Sequence, residues 1–374
     1  MMNEGEMAEF REHIRQWLRT NLSSPEKWGS IFTVEGLQRR RQWERQLFEA
    51  GYAVLSWPPE WGGANADIET ENIFQEEYLA AGAPERLNKV ALGMAGPTVL
   101  RHGSLAQQQR WLPGMADCDE IWCQGFSEPD AGSDLASLRT RGRVDGDSLV
   151  ITGQKTWCTH GPIADWMFAL VRTKPDPDPR GSLTFVMIPM DAQGVDVRPI
   201  RQLHGAPDFA DVFFEDVRVP MENVIGEVGR GWDIARSTLR QERASGLASH
   251  VSLTMEADRL AAAAAALEER ADIRCRVATA YATSRAFSAY VAQRRADPET
   301  DRSSVIKLAW SQARRESYEG LIECAAATPG GPSAELEHAY WHVRAAEIYG
   351  GSNEVQRNII ARKLLNLPAG AGAR

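Results

Sequence analysis

The sequence has no long hydrophobic run, no paired-cysteine motif and no excess of positive charge. No apolar stretch approaches the roughly 20 residues of a membrane-spanning helix. Met1 to Phe10 is acidic, not apolar, which argues against a signal peptide. The cysteines are odd in number and form no CxxC pair, as expected of reduced thiols, and the net charge of −9 argues against a nucleic-acid partner. We therefore predict a cytoplasmic protein without a membrane span.

Motifs for dinucleotides, nucleoside triphosphates and zinc are also missing. Gly226, Gly229 and Gly231 lack the GxGxxG spacing, and they do not join a strand to a helix within a βαβ unit. The sequence contains neither a P-loop nor HExxH. We predict no metal site, and the glycines do not indicate a dinucleotide-binding fold.

The hydrophobic period changes twice along the chain, which predicts three regions. At 374 residues, the chain is long enough for two or three domains. Helical spacing dominates residues 1–120, as in Phe10, Ile14 and Trp17, and it returns from Gly231 onward. Seven short segments between these regions predict the strands of a sandwich or barrel: Ile121 to Phe126, Leu138 to Val144, Ser148 to Lys155, Trp166 to Arg172, Leu183 to Pro189, Val195 to Arg201 and Asp211 to Val217.

Helix ends are predicted from proline, glycine and the apolar spacing. Leu105 to Leu112 is predicted to stop at Pro113-Gly114. In the C-terminal region the pattern predicts four helices: Asp258 to Arg270, Tyr281 to Arg294, Ser304 to Ala326 and about Ser352 to Leu365.

The stretch from Gln124 to Gly161 contains two polar loops on a predicted β-hairpin. Segments rich in Val, Leu, Ile and Thr flank the turn at Asp145-Gly146-Asp147. Hydroxyl groups lie at both ends of this unit, around Ser127 and around Thr159. Such loops on a rigid sheet suit a planar, hydrogen-bonding ligand, but an ordinary hairpin with polar ends has the same pattern.

Two motifs resemble those of the acyl-CoA dehydrogenase family. The first is Phe126-Ser127-Glu128-Pro129-x-Ala131-Gly132-Ser133-Asp134, and the second is Ile348-Tyr349-Gly350-Gly351-Ser352-Asn353-Glu354-Val355-Gln356-Arg357-Asn358-Ile359-Ile360. Trp57-Pro58-x-x-Trp61-Gly62-Gly63 and His102-Gly103 extend the resemblance over most of the chain. It implies an α+β fold with an N-terminal all-α domain (1–120), a middle β-barrel or sandwich (121–230) and a C-terminal helical bundle (231–374).

The resemblance also implies a reaction and its participants. The family uses FAD, takes an acyl-CoA thioester as substrate and passes electrons to electron-transferring flavoprotein. A carboxylate removes the α-proton while the β-hydrogen leaves as hydride to the flavin. Because the α-carbon of a thioester is a very weak acid, fixed donors must stabilise the enolate oxygen beside a desolvated base.

The resemblance assigns roles to individual positions. Seven match family contacts to FAD: Gln124, Phe126, Ser127, Trp157, Thr159, Ser352 and Glu354. Ser133 and Tyr349 match substrate contacts, and Arg243 resembles a residue near the acyl-CoA. The alternative is local: Ser127 and Thr159 could cap turns, and Trp157 could be a core residue.

The usual catalytic glutamate of the family is missing. It follows the tyrosine of the second motif, where this chain has Gly350. Leu239 to Arg243 resembles the helix from which branched-chain and long-chain members present their base, Glu242 here. Ala235, Leu239, Glu242 and Gly246 share one helical face, so burial should raise the pKa of Glu242. A structural ion pair is the alternative for Glu242.

Gly350 has two further consequences. Its backbone N–H can still donate to the thioester carbonyl, and its missing side chain widens the pocket. Together with a base on another helix, this predicts a bulky or branched acyl group. Relatives with the same pairing include those that act on steroid side chains.

Two departures from the family leave other functions open. The Arg-x-x-Phe-Gly element has only a partial match at Arg285 to Ser288, and Gly330-Gly331-Pro332 replaces Gly-Gly-Asn-Gly. Such losses occur in heteromeric members, so the assembly could be a homotetramer or a heterotetramer with a homologous subunit. The chain could then be a non-catalytic or half-site partner subunit, and a flavin oxidase or monooxygenase of the same fold is a further alternative.

Overall fold

The computed structural model describes residues 3–24, 28–174, 178–245, 249–265, 267, 270–295 and 303–368, and at 242–245, 249–250 and 292–295 it describes the backbone alone. The chain forms two compact units, Met1–Gln241 and Glu242–Arg374. The first combines helices with a β-sheet and the second is helical, so the predicted α+β class is confirmed. The predicted domain boundaries at 120/121 and 230/231 stay a prediction.

Within the described part of the first unit, five α-helices precede the sheet: α1 Glu4–Asn21, α2 Val34–Glu49, α3 Ile68–Ala80, α4 Gly96–His102 and α5 Leu105–Ala116. α1 and α5 begin with capping boxes at Asn3 and Ser104. The predicted stop at Pro113 is wrong, because α5 continues to Ala116. Met115 and Ala116 are buried in its last turn, and this burial outweighs the hydrogen bond that a helical proline removes.

Trp57 is a packing residue. Its side chain is buried, and its ring occupies the space where a side chain at Gly96 would lie. Gly96 follows a π-helical turn at Ala91–Ala95 that runs directly into α4. Trp61 is partly buried against the same core.

Eight strands of the first unit form one sheet: β1 Trp122–Gly125, β2 Arg141–Asp145, β3 Ser148–Thr159, β4 Trp166–Arg172, β5 Leu183–Pro189, β6 Val195–Ile200, β7 Phe209–Pro220 and β8 Val224–Ile225. Their order is β6-β7-β3-β2-β4-β5-β8, and β1 pairs in parallel with β4. All seven predicted strands are present, and β8 is an addition. β2 and β3 pair across the predicted turn, with Asp145 opposite Ser148 and a positive φ at Gly146.

The residues of β4 alternate between two apolar cores. Phe168 and Leu170 pack into the core that contains the N-terminal helices. Met167, Ala169 and Val171 pack into a second core, to which β3, β5 and β7 also contribute. Because both faces are buried, β4 is apolar from Trp166 to Val171.

The C-terminal part is helical: α6 Gly231–Ser245, α7 Ser249–Ala265, α8 Ala271–Arg295, α9 Ser303–Ala326, α10 Ala334–Val343 and α11 Asn353–Ile359. The alanine-rich helix ends at Ala265, short of the predicted Arg270. α10, capped by Ser333, was not predicted because its residues show no clear apolar stripe. A π-helical turn at Ile360–Leu364 extends α11. Among the described residues, no helix is long and apolar enough to cross a membrane.

Candidate active site

Two hydroxyl-bearing segments meet beside the ends of β1 and β3. β1 runs into Phe126-Ser127-Glu128, and β3 ends at Thr159. The N–H of Thr156 donates to the Ser127 carbonyl at 2.9 Å. Ser127, in the loop before the hairpin, therefore lies beside the residue that precedes Trp157.

Trp157 has a left-handed backbone, with φ +57°. It lies in a bulge, because the pairing of β3 with β7 shifts register between Lys155 and Cys158. Its side chain is 56% exposed, and its ring meets Phe209 edge to face at 5.9 Å. This exposure excludes the alternative of a core residue. A left-handed backbone costs a non-glycine residue roughly 1–2 kcal/mol, and such strain is concentrated at ligand sites.

Three residues that were predicted to contact FAD have polar side chains that a ligand can reach. Ser127, Thr159 and Gln124 are all partly buried. Within the part of the chain that the structure describes, the hydroxyls of Ser127 and Thr159 make no hydrogen bond to protein. The turn-capping alternative for these hydroxyls therefore has no support from the described residues.

Two other predicted residues occupy different environments. The Phe126 ring is buried and lies edge to face with Phe168 and Phe185, at 5.5 and 5.9 Å. Its side chain thus belongs to the core and is closed to a ligand. Ser133 is exposed in the loop that follows the bridge between Glu128 and Ala131.

A buried ion pair lies directly beneath these loops and was not predicted. The Lys155 ammonium donates to the Glu128 carboxylate at 2.7 Å, and the Lys155 side chain has no exposed area. Burial alone would raise the pKa of Glu128, but Lys155 and the hydrogen bonds from Arg139 and Thr140 outweigh it, so the pKa is lowered. No local pattern indicates this pair, because polar residues precede Lys155 and the whole of β2 lies between Glu128 and Lys155 in the chain.

The second motif forms a glycine loop before α11. Gly350 and Gly351 are left-handed, with φ +65° and +86°. The Gln356 amide donates to both of their carbonyls, at 2.9 and 3.1 Å. No hydrogen bond joins the Gly350 N–H to another described residue. The loop backbone is therefore held from one side, without a side chain at position 350.

Ser352 and Glu354 lie at the start of α11. The Ser352 hydroxyl accepts from the N–H of Val355 at 3.4 Å, so its role within the chain is to cap the helix. Glu354 is exposed in the first turn, where its own backbone N–H and the Ser352 hydroxyl lower its pKa. Their predicted contacts to FAD stay predictions.

Asn353, which was not predicted, anchors this loop to α9. Its side-chain oxygen accepts from Ser311 at 2.9 Å and from Lys307 at 3.3 Å, and its side chain is buried. Tyr349 is partly exposed, and its ring lies 6.3 Å from that of Trp310 on the same helix. Asn353 thus anchors the loop to α9 after Gly350, and the Tyr349 ring lies beside the same helix before it.

The side chains of Glu242 and Arg243 lie outside the described residues, although the backbone of both belongs to α6. In the preceding turn, Thr238 is buried, and its hydroxyl lies 2.8 Å from that of Thr98. Ala235 is also buried. Helical spacing continues from these positions to 242, and the role of Glu242 stays a prediction.

Gly351→Ala is expected to destabilise the protein more than Gly330→Ala. Both positions are left-handed, so each alanine costs roughly 1–2 kcal/mol. A methyl group at Gly330 meets no atom within 4 Å, whereas one at Gly351 displaces the Gln356 amide from its two hydrogen bonds. The second effect adds about 1–3 kcal/mol, measurable by urea unfolding. Equal losses in the two variants would show that the Gln356 bonds do not hold the loop.

Three family models match consecutive parts of the chain. The N-terminal domain of acyl-CoA dehydrogenase matches residues 4–119, the middle domain 123–217 and the C-terminal domain 229–365. These ranges contain the helices, sheet and C-terminal helices described above.

Relatives match over their full length. Acyl-CoA dehydrogenase IpdE1 of Mycobacterium tuberculosis is 36% identical, covering 97% of this chain and 98% of the relative. The structure of the Tcur3481-Tcur3483 steroid ACAD has a TM-score of 0.86 at 25% identity and covers 99% of both chains. The ChsE4-ChsE5 complex of Mycobacterium tuberculosis has a TM-score of 0.83 at 28% identity, covering 99% of this chain and 100% of that one. This chain belongs to the acyl-CoA dehydrogenase family and is an enzyme of that family.

Proposed function

We propose that the protein catalyses FAD-dependent α,β-dehydrogenation of a bulky or branched acyl-CoA thioester and passes the electrons to electron-transferring flavoprotein. The observation that carries the proposal is the junction of the Ser127 loop with the Trp157 bulge through the Thr156 N–H. This junction brings the exposed Trp157 indole next to the Ser127 loop, and the hydroxyls of Ser127 and Thr159 bond no residue that the structure describes.

The residues at this junction fit a flavin ring. An exposed indole can stack on a planar aromatic system, and the Ser127 and Thr159 hydroxyls can hydrogen-bond the polar edge of that system. Bound FAD would accept the hydride from the β-carbon. The chain itself supplies orientation, through Trp157, and fixed donors, through Ser127, Thr159 and Gln124. Ser352 and Glu354 would contribute further contacts to the cofactor.

The glycine loop offers a backbone donor that suits a thioester carbonyl. The Gly350 N–H, which bonds no described residue, would donate to the thioester carbonyl and stabilise the negative charge that develops there. Glu242 would remove the α-proton, Arg243 would hold the phosphopantetheine region, and Ser133 and Tyr349 would contact the substrate. Absence of a side chain at Gly350 leaves room for a bulky acyl group, and two of the similar structures are those of a steroid ACAD and its variant.

An anaerobic spectral titration with a panel of acyl-CoA thioesters tests the proposal. We expect the flavin absorption to bleach with branched or ring-bearing acyl groups and to bleach less with straight short chains. Release of the cofactor by denaturation should yield FAD and not FMN. FMN alone, or no flavin with or without a homologous partner, would refute the proposal.

The same titration separates the alternatives. A chain that binds no flavin alone but regains it with a homologue would be a half-site subunit, as the missing Arg-x-x-Phe-Gly element suggests. Rapid peroxide formation in air would indicate a flavin oxidase or monooxygenase instead.

The assembly is expected to be a tetramer, either of this chain or of two copies each of this chain and a homologue. The second unit exposes several large apolar side chains that subunit contacts would cover: Trp341, Ile348, Leu365 and Leu367. One similar structure is a complex of two proteins, ChsE4 and ChsE5. Light scattering of the purified protein measures the assembly, and a stable monomer with full flavin content would contradict it. We further propose that the protein works in the cytoplasm. We also propose that its domains span residues 1–120, 121–230 and 231–374.

A further inference from the structure

A single ammonium group bonds the residues on both sides of Ser127. The Lys155 Nζ donates to the carbonyl of Phe126 at 3.3 Å and to the carboxylate of Glu128 at 2.7 Å. These two acceptors belong to the residues immediately before and after Ser127. The position of the Ser127 backbone is therefore set from within the core.

The carboxylate of Glu128 extends this connection to the start of β2. It accepts the N–H of Arg139 through one oxygen and the N–H of Thr140 through the other, the latter at 2.9 Å. The Thr140 hydroxyl in turn donates to the carbonyl of Gln154 at 3.1 Å, next to Lys155. Three separate segments, 126–128, 139–140 and 154–156, are thus joined in a closed set of hydrogen bonds.

The backbone at this point has little freedom to adjust. Gly153 has φ +149°, and a Cβ there would lie 2.7 Å from the Cα of Thr140. Beyond Lys155, the register shift leaves the Thr156 N–H bonded to Ser127 and turns Trp157 outward. A displacement of Lys155 would therefore pass directly to Ser127 and to Trp157.

A buried ion pair is a poor choice for stability alone. Removing two charges from water costs several kcal/mol per ion, and well-packed apolar replacements are often equally stable. The surrounding sheet is already apolar, as Cys158 and Ile151 illustrate, so apolar side chains would fit this environment. The advantage of the ion pair is that its hydrogen bonds have a preferred direction. They therefore fix the positions of the backbone atoms that they join.

We propose that Lys155 and Glu128 form a positioning pair that sets the backbone at Ser127 and at Thr156-Trp157 for contact with the flavin ring. This inference rests on the proposed FAD site, and it assigns no direct contact with the flavin to either residue. Without the pair, the two loops lose their fixed separation. The hydroxyl of Ser127 and the indole of Trp157 then no longer contact the same flavin ring.

The test compares two buried ion pairs of the full-length chain, with a homologous partner added if flavin binding needs it. Glu128→Gln with Lys155→Met removes both charges of the positioning pair. The matched control, Glu44→Gln with Arg86→Met, removes a pair that is joined at 2.8 Å and bonded to the Leu87 N–H, without a hydrogen bond to the three segments. Melting temperature measures the general loss of stability in both variants.

Two readouts separate positioning from stability. Amide hydrogen exchange at Thr156, without flavin, should become about tenfold faster in the Glu128/Lys155 variant and stay within about twofold in the control. The Kd for FAD should rise about tenfold for each ring hydrogen bond that is lost, and only in the Glu128/Lys155 variant. If this variant does not fold, Glu128→Asp replaces it, since it keeps both charges and only shortens the carboxylate side chain.

The outcomes separate a positioning role of the pair from a structural one. If either Thr156 exchange or FAD affinity changes no more than in the control, the pair is structural and the inference is overturned. A wild-type protein that binds no FAD under any condition refutes the proposed function instead. Thr156 exchange would then still show whether the pair holds the loops.

Discussion

Glu242→Gln is expected to slow flavin reduction by a good acyl-CoA substrate about 10²–10⁴-fold, which is the usual size of a general-base contribution. Glutamine keeps the shape and hydrogen bonding of the side chain but cannot accept the α-proton. FAD content and substrate binding should therefore remain. The expectation rests on Gly350, which leaves the usual family position without a carboxylate, and on the resemblance of Leu239 to Arg243 to members with a relocated base.

Anaerobic stopped-flow absorbance measures this rate, with Asp233→Asn as the matched control. Asp233 lies on the same helix, its side chain is 71% exposed and it is 3.7 Å from Arg236. An exposed ion pair contributes little, so the control should reduce its flavin at the wild-type rate.

A second substitution distinguishes a missing base from a damaged site. Gly350→Glu restores a carboxylate at the other family position and should partly rescue Glu242→Gln with a slim acyl chain. The left-handed backbone at position 350 limits this rescue. If Glu242→Gln alone reduces its flavin at the wild-type rate, Glu242 is structural. Loss of yield with normal reduction in the folded fraction would support the ion-pair alternative.

Lys155→Met is expected to lower the free energy of unfolding by about 3–5 kcal/mol, because it leaves the buried Glu128 carboxylate without its partner. Removal of Glu128 as well should recover much of this loss. In the wild type the pKa of Glu128 is lowered, so its contribution is lost as the pH falls through that pKa. In the variant, burial raises the pKa, so the deficit should be smaller at acid pH than at pH 8.

Urea unfolding at two pH values measures both effects, and Arg139→Gln is the control. Arg139 and Asp130 form an ion pair at 3.3 Å near the same loop, but both side chains are more than 70% exposed. Loss of this ion pair should lower the free energy of unfolding by at most about 1 kcal/mol. A Lys155→Met variant as stable as this control would show that Glu128 is not desolvated in the folded protein.

The local elements of this protein could be read from the sequence. Trp166–Arg172 and Leu183–Pro189 are strands at the predicted residues, because an apolar run bounded by turn formers is a property of the segment itself. The hairpin at Gly146 was predicted for the same reason. The two motifs also located the Ser127 loop and the Gly350 loop without knowledge of the fold.

Long-range contacts could not be predicted in this way. Phe126 stands inside a motif, and only the packing of Phe168 and Phe185 shows that its ring belongs to the core. α5 continues past Pro113 because tertiary burial of Met115 outweighs a local helix breaker.

The sequence by itself determined the order of helices and strands, the two loop motifs and the missing carboxylate at Gly350, since each depends on neighbouring residues. Only the tertiary structure decided that Trp157 points outward and that Lys155 joins Glu128 across the β2 hairpin. Burial and hydrogen-bond partners are set by which strands pair and where their register shifts. Those pairings join residues far apart in the chain, so the hydrophobic period of a local segment cannot predict them.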